Sequence, residues 1–295
     1  MRALVGKKIP KFESLNMKIR KAVVTAAGAG QGGLPLQRLV DRDGQEKTVI
    51  EMIIEEIDAA GIDSIGVVIN PDSQSAYREA AGRYRDRLTF VSQTALGAGY
   101  GQAILSCKEY VGDEPFLHMV GDHMCLSRGQ KRCAAQLCEV ARQFECCISA
   151  VQATRESLLP YFGTVAGVRM KESERLFEVK RVIEKPTPTI AEQELMTAGL
   201  RSGYYLCFFG MHVLMPTVFR YLQDAVESKS QPIPLTDGLE ATLNREKYLA
   251  YEIDGQRYNL GTKFGLLNTQ LALGLSGVDR DRVLTQMVDV LSLHR

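Results

Sequence analysis

Short apolar runs alternate along this chain with stretches of helical spacing, and that rhythm predicts most of its elements. Val23 and Val24 sit in a run suited to a buried strand that leads into a glycine-rich segment. Val49 to Ile57 has the i, i+3, i+4 spacing of a helix, and Gly61 stops it. Ser64 to Ile69 reads as a strand, Ser73 to Arg85 as a polar helix, and Leu88 to Val91 as a short strand. A helix opened by Gly97, Gly99 and Gly101 runs to Tyr110. Phe116 to Val120 is again a strand, Ser127 to Phe144 a helix and Cys146 to Val151 a strand. Such alternation implies an α/β, three-layer, mostly parallel (Rossmann-like) sheet covered on both faces. Ligands of such sheets bind beyond the carboxyl ends of the strands. Gly28, Gln93 and Asp122 all fall at such ends and are expected to converge on one crevice.

From Thr164 the rhythm changes. Thr164 to Met170 and Leu176 to Ile183 read as a strand pair across Lys171 to Glu174. Gly203 to Phe209 and Tyr248 to Ile253 are further strands. This half is expected to be a mixed-sheet extension for a second substrate. The chain thus divides into an N-terminal surface arm (1–20), a main α/β domain (21–274) with halves at about 21–153 and 154–274, and a C-terminal helix (275–295). That helix carries Val283, Met287, Val290 and Leu291 on one stripe, suited to the core or to a contact between copies in a homo-oligomer.

Composition narrows the function. At 295 residues with 45% apolar content, the chain can bury a full α/β core. A net charge of +1 argues against a nucleic acid polymer as partner. No apolar run is long enough for a membrane span, and the basic first twenty residues lack the apolar centre of a secretory signal. Seven cysteines without a C-x-x-C pair read as buried free thiols, which suits a cytoplasmic protein. The four histidines have no metal-ligand spacing.

The chemistry starts in the glycine-rich segment. Ala26 and Ala27 leave room beside the backbone, and four glycines among residues 28–33 let N–H groups turn toward a ligand, as in a phosphate cradle. Gly28, Gly30 and Gly33 spell the dinucleotide pattern, but Leu34, Pro35 and a turn at Asp41 to Gly44 replace the helix that should follow. The next strand also lacks the ribose-binding acid. NAD is therefore excluded. A Walker A loop is excluded as well, since no Gly-Lys-Ser/Thr follows.

Taken in order, the motifs resemble the sugar-1-phosphate nucleotidyltransferases, most closely the bacterial UTP–glucose-1-phosphate uridylyltransferases (UDP-glucose pyrophosphorylases). The residues that carry the resemblance are Ala26, Ala27, Gly28 and Gly30; Gln93 with Gly99 to Ala103; Val120, Gly121 and Asp122; and Tyr161, Phe162 and Gly163. Val182 to Pro186, Ser202 to Tyr204, Leu235 to Leu239 and Arg257 to Gly261 complete the set. The resemblance implies that Ala26, Ala27, Gly28 and Gly30 hold base and phosphates, that Gln93 and Gly99 read the pyrimidine, and that Asp122 binds Mg²⁺. It further implies that Gly163, Glu184 and Gly203 meet the sugar and that Lys185 binds the sugar phosphate. On residue chemistry alone, Asp122 also suits a cap on the turn after a strand.

Three positions depart from the family. Gly32 stands where the family has the arginine that grips the triphosphate, and the family's downstream lysine is absent. Asn259 replaces the second metal-binding aspartate. Arg38 or Arg42 is the candidate substitute for the missing charge. The implied activity is Mg²⁺-dependent transfer of a uridylyl group from UTP to glucose 1-phosphate. Its rivals are a nucleotide-sugar binding or regulatory protein that kept the pocket, and a related glycosyltransferase. For the last, only Asp41 to Asp43 spells Asp-x-Asp, and it sits in a loop.

Overall fold

In the computed structural model of the chain, residues 17–28, 30, 32–93, 99–228 and 232–293 are described. The chain starts with β1 (Lys21–Thr25), whose residues 22–24 are fully buried, followed by the glycine segment. A hairpin of β2 (Arg38–Val40) and β3 (Glu46–Thr48) comes next. Helix α1 (Val49–Ala59) starts at Thr48, whose side chain and that of Glu51 exchange hydrogen bonds with each other's backbone N–H, and it ends before Gly61 at φ +75°. Then follow β4 (Ser64–Ile69), α2 (Gln74–Ala80), β5 (Leu88–Ser92), α3 (Tyr100–Leu105), α4 (Lys108–Val111), β6 (Phe116–Val120), β7 (His123–Ser127), α5 (Cys133–Phe144) and β8 (Cys147–Arg155). The second half holds β9 (Thr164–Arg169), β10 (Leu176–Ile183), α6 (Pro188–Glu194), β11 (Tyr204–Leu214), α7 (Thr217–Ser228), α8 (Leu235–Leu243), β12 (Tyr248–Glu252), β13 (Gly255–Asn259), α9 (Gly265–Leu275) and α10 (Arg280–Leu293).

One nine-stranded sheet runs in the order β5-β4-β1-β6-β11-β8-β12-β10-β9. Only β11 and β10 oppose the common direction, so the sheet is mostly parallel. Strand alternation sends Ala22, Val24, Ile65, Val67, Leu117 and Met119 toward α1 and α5, and sends Val23, Val68, Phe116 and Val151 toward α3, α7 and α8. These are the expected three layers. The mixed extension belongs to the same sheet, because β11 inserts between β6 and β8 and fuses the two halves.

Several elements differ from expectation. The stretch 127–144 is not one helix: β7 ends at Ser127, and α5 starts only at Cys133. The stretch 73–85 is broken after Ala80, and 99–110 splits into α3 and α4. Residues 1–16 of the arm lie outside the described residues, while Met17 and Ile19 are buried in the core instead of lying on the surface. In α10, Val283 and Met287 are half-buried, Val283 lying against Gly274 of α9, but Val290 and Leu291 are exposed, so the stripe is not core along its length. All seven cysteines are free and buried, as expected. Among the described residues, no helix is long and apolar enough to cross a membrane.

Candidate active site

The carboxyl ends of β1, β5 and β6 open onto a cavity of ≈ 370 Å³ whose far wall comes from β11, α8 and the segments around Gly163 and Glu184. Ala26, Ala27, Gly28, Gln93, Gly99, Asp122, Gly163, Glu184 and Lys185 all line it. The structure therefore brings together most of the residues that the sequence singled out. Gly30, Arg38, Gly203 and Asn259 do not line it.

Backbone hydrogen bonds build the near wall. Ala26 N–H donates to Val68 O at 2.8 Å, Gly121 N–H to Thr25 O at 2.8 Å and Gln93 N–H to Ile69 O at 3.0 Å. The Tyr77 hydroxyl, buried beneath, donates to Gly32 O at 2.7 Å and pins the loop. A Cβ on Gly32 would meet Ala26 O at 3.3 Å and Asn70 Nδ2 at 4.0 Å. The first carbon of a side chain at position 32 would thus point at Ala26 O and Asn70, and the φ of Gly32 is not positive. Gly99, at φ +97°, is required by crowding, since a Cβ would lie 2.5 Å from Ile233 O.

Asp122 follows β6, and its Oδ1 lies 2.7 Å from His123 Nδ1. Burial pushes its carboxyl up, but the His123 hydrogen bond and the charges of His123 and Lys185 outweigh burial and hold it below the usual carboxylate range. Asn259, on β13, pairs in register with His123, and Leu260 N–H donates to Asp122 O at 2.9 Å. Its Oδ1 is engaged by Gly261 N–H at 2.8 Å. Asn259 thus neighbours the site with its side-chain carbonyl already accepting one hydrogen bond.

Glu184 and Lys185 follow β10. Burial raises the Glu184 carboxyl, with Lys185 and a hydrogen bond from Thr236 acting against it. Lys185 has φ +43°, a left-handed conformation that costs roughly 1–2 kcal/mol in a non-glycine residue. Its Nζ stands 3.9 Å from Glu184 Oε1. Among the described residues it is the one lysine or arginine lining the cavity. Arg38 instead projects outward and pairs with Glu46 at 2.7 Å, and Arg42 Nη1 donates to Ser127 O at 3.2 Å. Neither supplies the missing charge.

Sequence reasoning gave several groups no role. Tyr100 and His212 line the cavity. Behind them, His118 Nε2 lies 3.2 Å from Thr25 Oγ1 and 3.1 Å from the Tyr100 hydroxyl. Arg257, on β13, is buried against the ring of Phe162, with its guanidinium carbon 3.6 Å from the centroid. It donates to Phe208 O at 2.6 Å and to Thr154 Oγ1 at 3.1 Å. Among the described residues no carboxylate pairs with it and its Nε has no partner, and burial lowers its pKa to about 10. Polar residues at alternating positions of otherwise apolar strands were the available signal for His118 and His212.

A glycine-lined loop, a carboxylate at a strand end and a lysine beside a second carboxylate suit a phosphorylated nucleotide and a second phosphorylated substrate. The nucleotidyl transferase family model matches residues 21–273. The chain belongs to the nucleotidyl transferase family. Similar members include the UTP–glucose-1-phosphate uridylyltransferase of Staphylococcus epidermidis (strain RP62A), 27% identical over 94% of this chain and 99% of its own. The enzyme of that name from Staphylococcus haemolyticus is 28% identical over 88% and 93%. Among solved structures, a UDP-glucose pyrophosphorylase complexed with UDP-glucose superposes with a TM-score of 0.71 at 23% identity, over 86% of this chain and 98% of that one. The Acinetobacter baumannii UDP-glucose pyrophosphorylase gives 0.71 at 20% identity, over 93% and 100%. At such identities these structures speak for the fold.

Proposed function

We propose that this nucleotidyl transferase makes UDP-glucose and pyrophosphate from UTP and glucose 1-phosphate. The observation that carries the reading is that Asp122, Lys185 and Glu184 meet the glycine segment and Gln93 around one cavity, in a chain similar end to end to proteins of that activity. A phosphate oxygen of the sugar substrate attacks the α-phosphorus of UTP. The bond from that phosphorus to the β-bridging oxygen breaks, and pyrophosphate leaves with the electron pair. The protein's contribution is positioning and charge neutralisation. The N–H groups of Ala27 and Gly28 hold the phosphates, and the side-chain amide of Gln93 and the backbone of Gly99 read the base. Lys185 holds the sugar phosphate, while Glu184 and Gly163 serve the sugar end.

The residues fit Mg²⁺. Among the described residues no cluster of three His, Cys, Asp or Glu side chains forms a cage. Mg²⁺ often takes one or two carboxylates and completes its shell with substrate phosphates and water. Asp122, kept ionised, would supply the carboxylate and Asn259 at most a weak neighbouring carbonyl. The ion, when bound, would neutralise charge on the triphosphate. The site suits a cytoplasmic enzyme acting on free nucleotides, and pyrophosphate release with UTP, Mg²⁺ and a panel of sugar 1-phosphates tests the reading.

A second reading has its own observation: Lys185 alone supplies a lysine or arginine to the cavity, and positions 32, 38 and 42 do not compensate. Loss of one clamp of this kind typically costs ~10²–10³ in rate. A protein that binds UDP-glucose without turning it over would carry this signature.

A further inference from the structure

A row of polar side chains crosses the otherwise apolar sheet beneath the cavity. His118 on β6 is the register partner of His212 on β11, and His212 is the register partner of Ser149 on β8. The two imidazoles stack with centroids 5.7 Å apart. Ser149 Oγ lies 2.6 Å from His212 Nδ1 and 2.5 Å from the hydroxyl of Tyr248 on β12. All four groups are buried, and burial lowers the His212 pKa to about 3, so its ring is neutral.

Donor accounting fixes the tautomer. Ser149 is the hydrogen-bond partner of the buried Tyr248 hydroxyl, so that phenol donates to Ser149 Oγ. The serine hydrogen is then directed at His212 Nδ1, which accepts, and the ring hydrogen resides on Nε2. The opposite polarity would leave a buried phenol O–H without an acceptor, at a cost that native cores avoid. His212 lines the cavity at its sugar end, its ring packed edge-on against Phe208 at 4.9 Å, whose N–H donates to Gly163 O at 2.8 Å, and its Nε2 has no hydrogen-bond partner among the described residues. We infer that His212 is a specificity-determining residue that donates its Nε2–H to a hydroxyl oxygen of the hexose 1-phosphate. This rests on the proposed function and deepens it. A neutral donor reads a hydroxyl without adding charge beside Lys185, and the Tyr248–Ser149 pair holds it in the donating form.

Two measurements test this. In protein labelled with ¹⁵N-histidine, long-range ¹H–¹⁵N spectra should show His212 protonated on Nε2, and UDP-glucose should shift that nitrogen. His212→Phe should raise the KM for glucose 1-phosphate about tenfold, as loss of one neutral hydrogen bond does, with the KM for UTP unchanged. His212→Gln, which can place an amide N–H near the same point, should recover most of the loss. Ser149→Ala should release the tautomer without emptying the cavity wall. An Nδ1-protonated ring, or an Nε2 signal unmoved in a parent that makes UDP-glucose, overturns the inference alone. Equal KM rises for both substrates also overturn it and leave a structural role. A parent that neither makes nor binds UDP-glucose overturns the functional reading, and this inference with it.

Discussion

His123 Nδ1 lies 2.7 Å from Asp122 Oδ1, so the carboxylate at the end of β6 is aimed by an imidazole on the next residue. Hydrogen-bonded carboxylates make oriented metal ligands. Asp122→Asn should therefore abolish the Mg²⁺ dependence of UTP binding and lower kcat by ~10²–10³, while the melting temperature stays near that of the parent. Calorimetry showing the same Mg²⁺ dependence in variant and parent would restore Asp122 to a turn-capping role.

Lys185 combines backbone strain with charge, and the two can be separated. Lys185→Gly removes the left-handed penalty and should leave stability unchanged or raised by about 1 kcal/mol. It should still raise the KM for glucose 1-phosphate, since a charge-assisted hydrogen bond contributes roughly 1.5–3 kcal/mol. Lys185→Ala should show the same KM rise with no gain in stability. Equal loss of UTP and sugar-phosphate affinity would contradict this assignment.

Gly99→Ala should destabilise the fold by more than ~2 kcal/mol, because the new methyl meets the backbone of Ile233 at 2.5 Å while φ is +97°. Gly163→Ala meets the Phe208 ring at 2.6 Å and Glu184 Oε2 at 3.1 Å, so it should distort the sugar end first. Chemical denaturation and the KM for glucose 1-phosphate distinguish the two outcomes.

Arg38→Ala should leave kcat unaltered. Its ion pair with Glu46 is exposed on both sides, and such pairs contribute about 0–1 kcal/mol. Gly32→Arg should give no gain in rate, since position 32 faces Ala26 O and Asn70. A faster Gly32→Arg enzyme would show that the loop turns over on binding.

Asp41 links the β2–β3 turn to pH. Burial raises its carboxyl, but the hydrogen bond from Lys47 and those from the Gln45 and Asp43 amides prevail and lower it. A carboxyl depressed in the folded state stabilises fully above its unfolded value near 3.8, and the contribution fades as pH falls toward the folded value. Asp41→Asn should thus lower the denaturation midpoint at pH 7, and the gap to the parent should narrow in acid. A gap constant with pH would contradict the account.

The sheet was legible where burial is continuous: Ser64–Ile69 and Phe116–Val120 are uninterrupted runs. The antiparallel ribbon of β7 and β13 was hidden, because its short strands pair across more than a hundred residues and carry mixed polarity. Most of the site was legible because Gly28, Gln93, Asp122 and Glu184 each close a strand. Tyr77, Tyr100, His118 and His212 were not, because their meaning lies in partners distant in sequence. Only the fold shows that Gly32 faces its own loop and that Arg38 faces solvent.

The most direct test of the central claim is to incubate the protein with UTP, glucose 1-phosphate and Mg²⁺ and to quantify both products. The account predicts UDP-glucose and pyrophosphate in equal amounts, formed ~10²–10³ times more slowly by Asp122→Asn. UDP-glucose that binds while no pyrophosphate appears with any sugar 1-phosphate would contradict it, and the protein would then be a nucleotide-sugar binding member of its family.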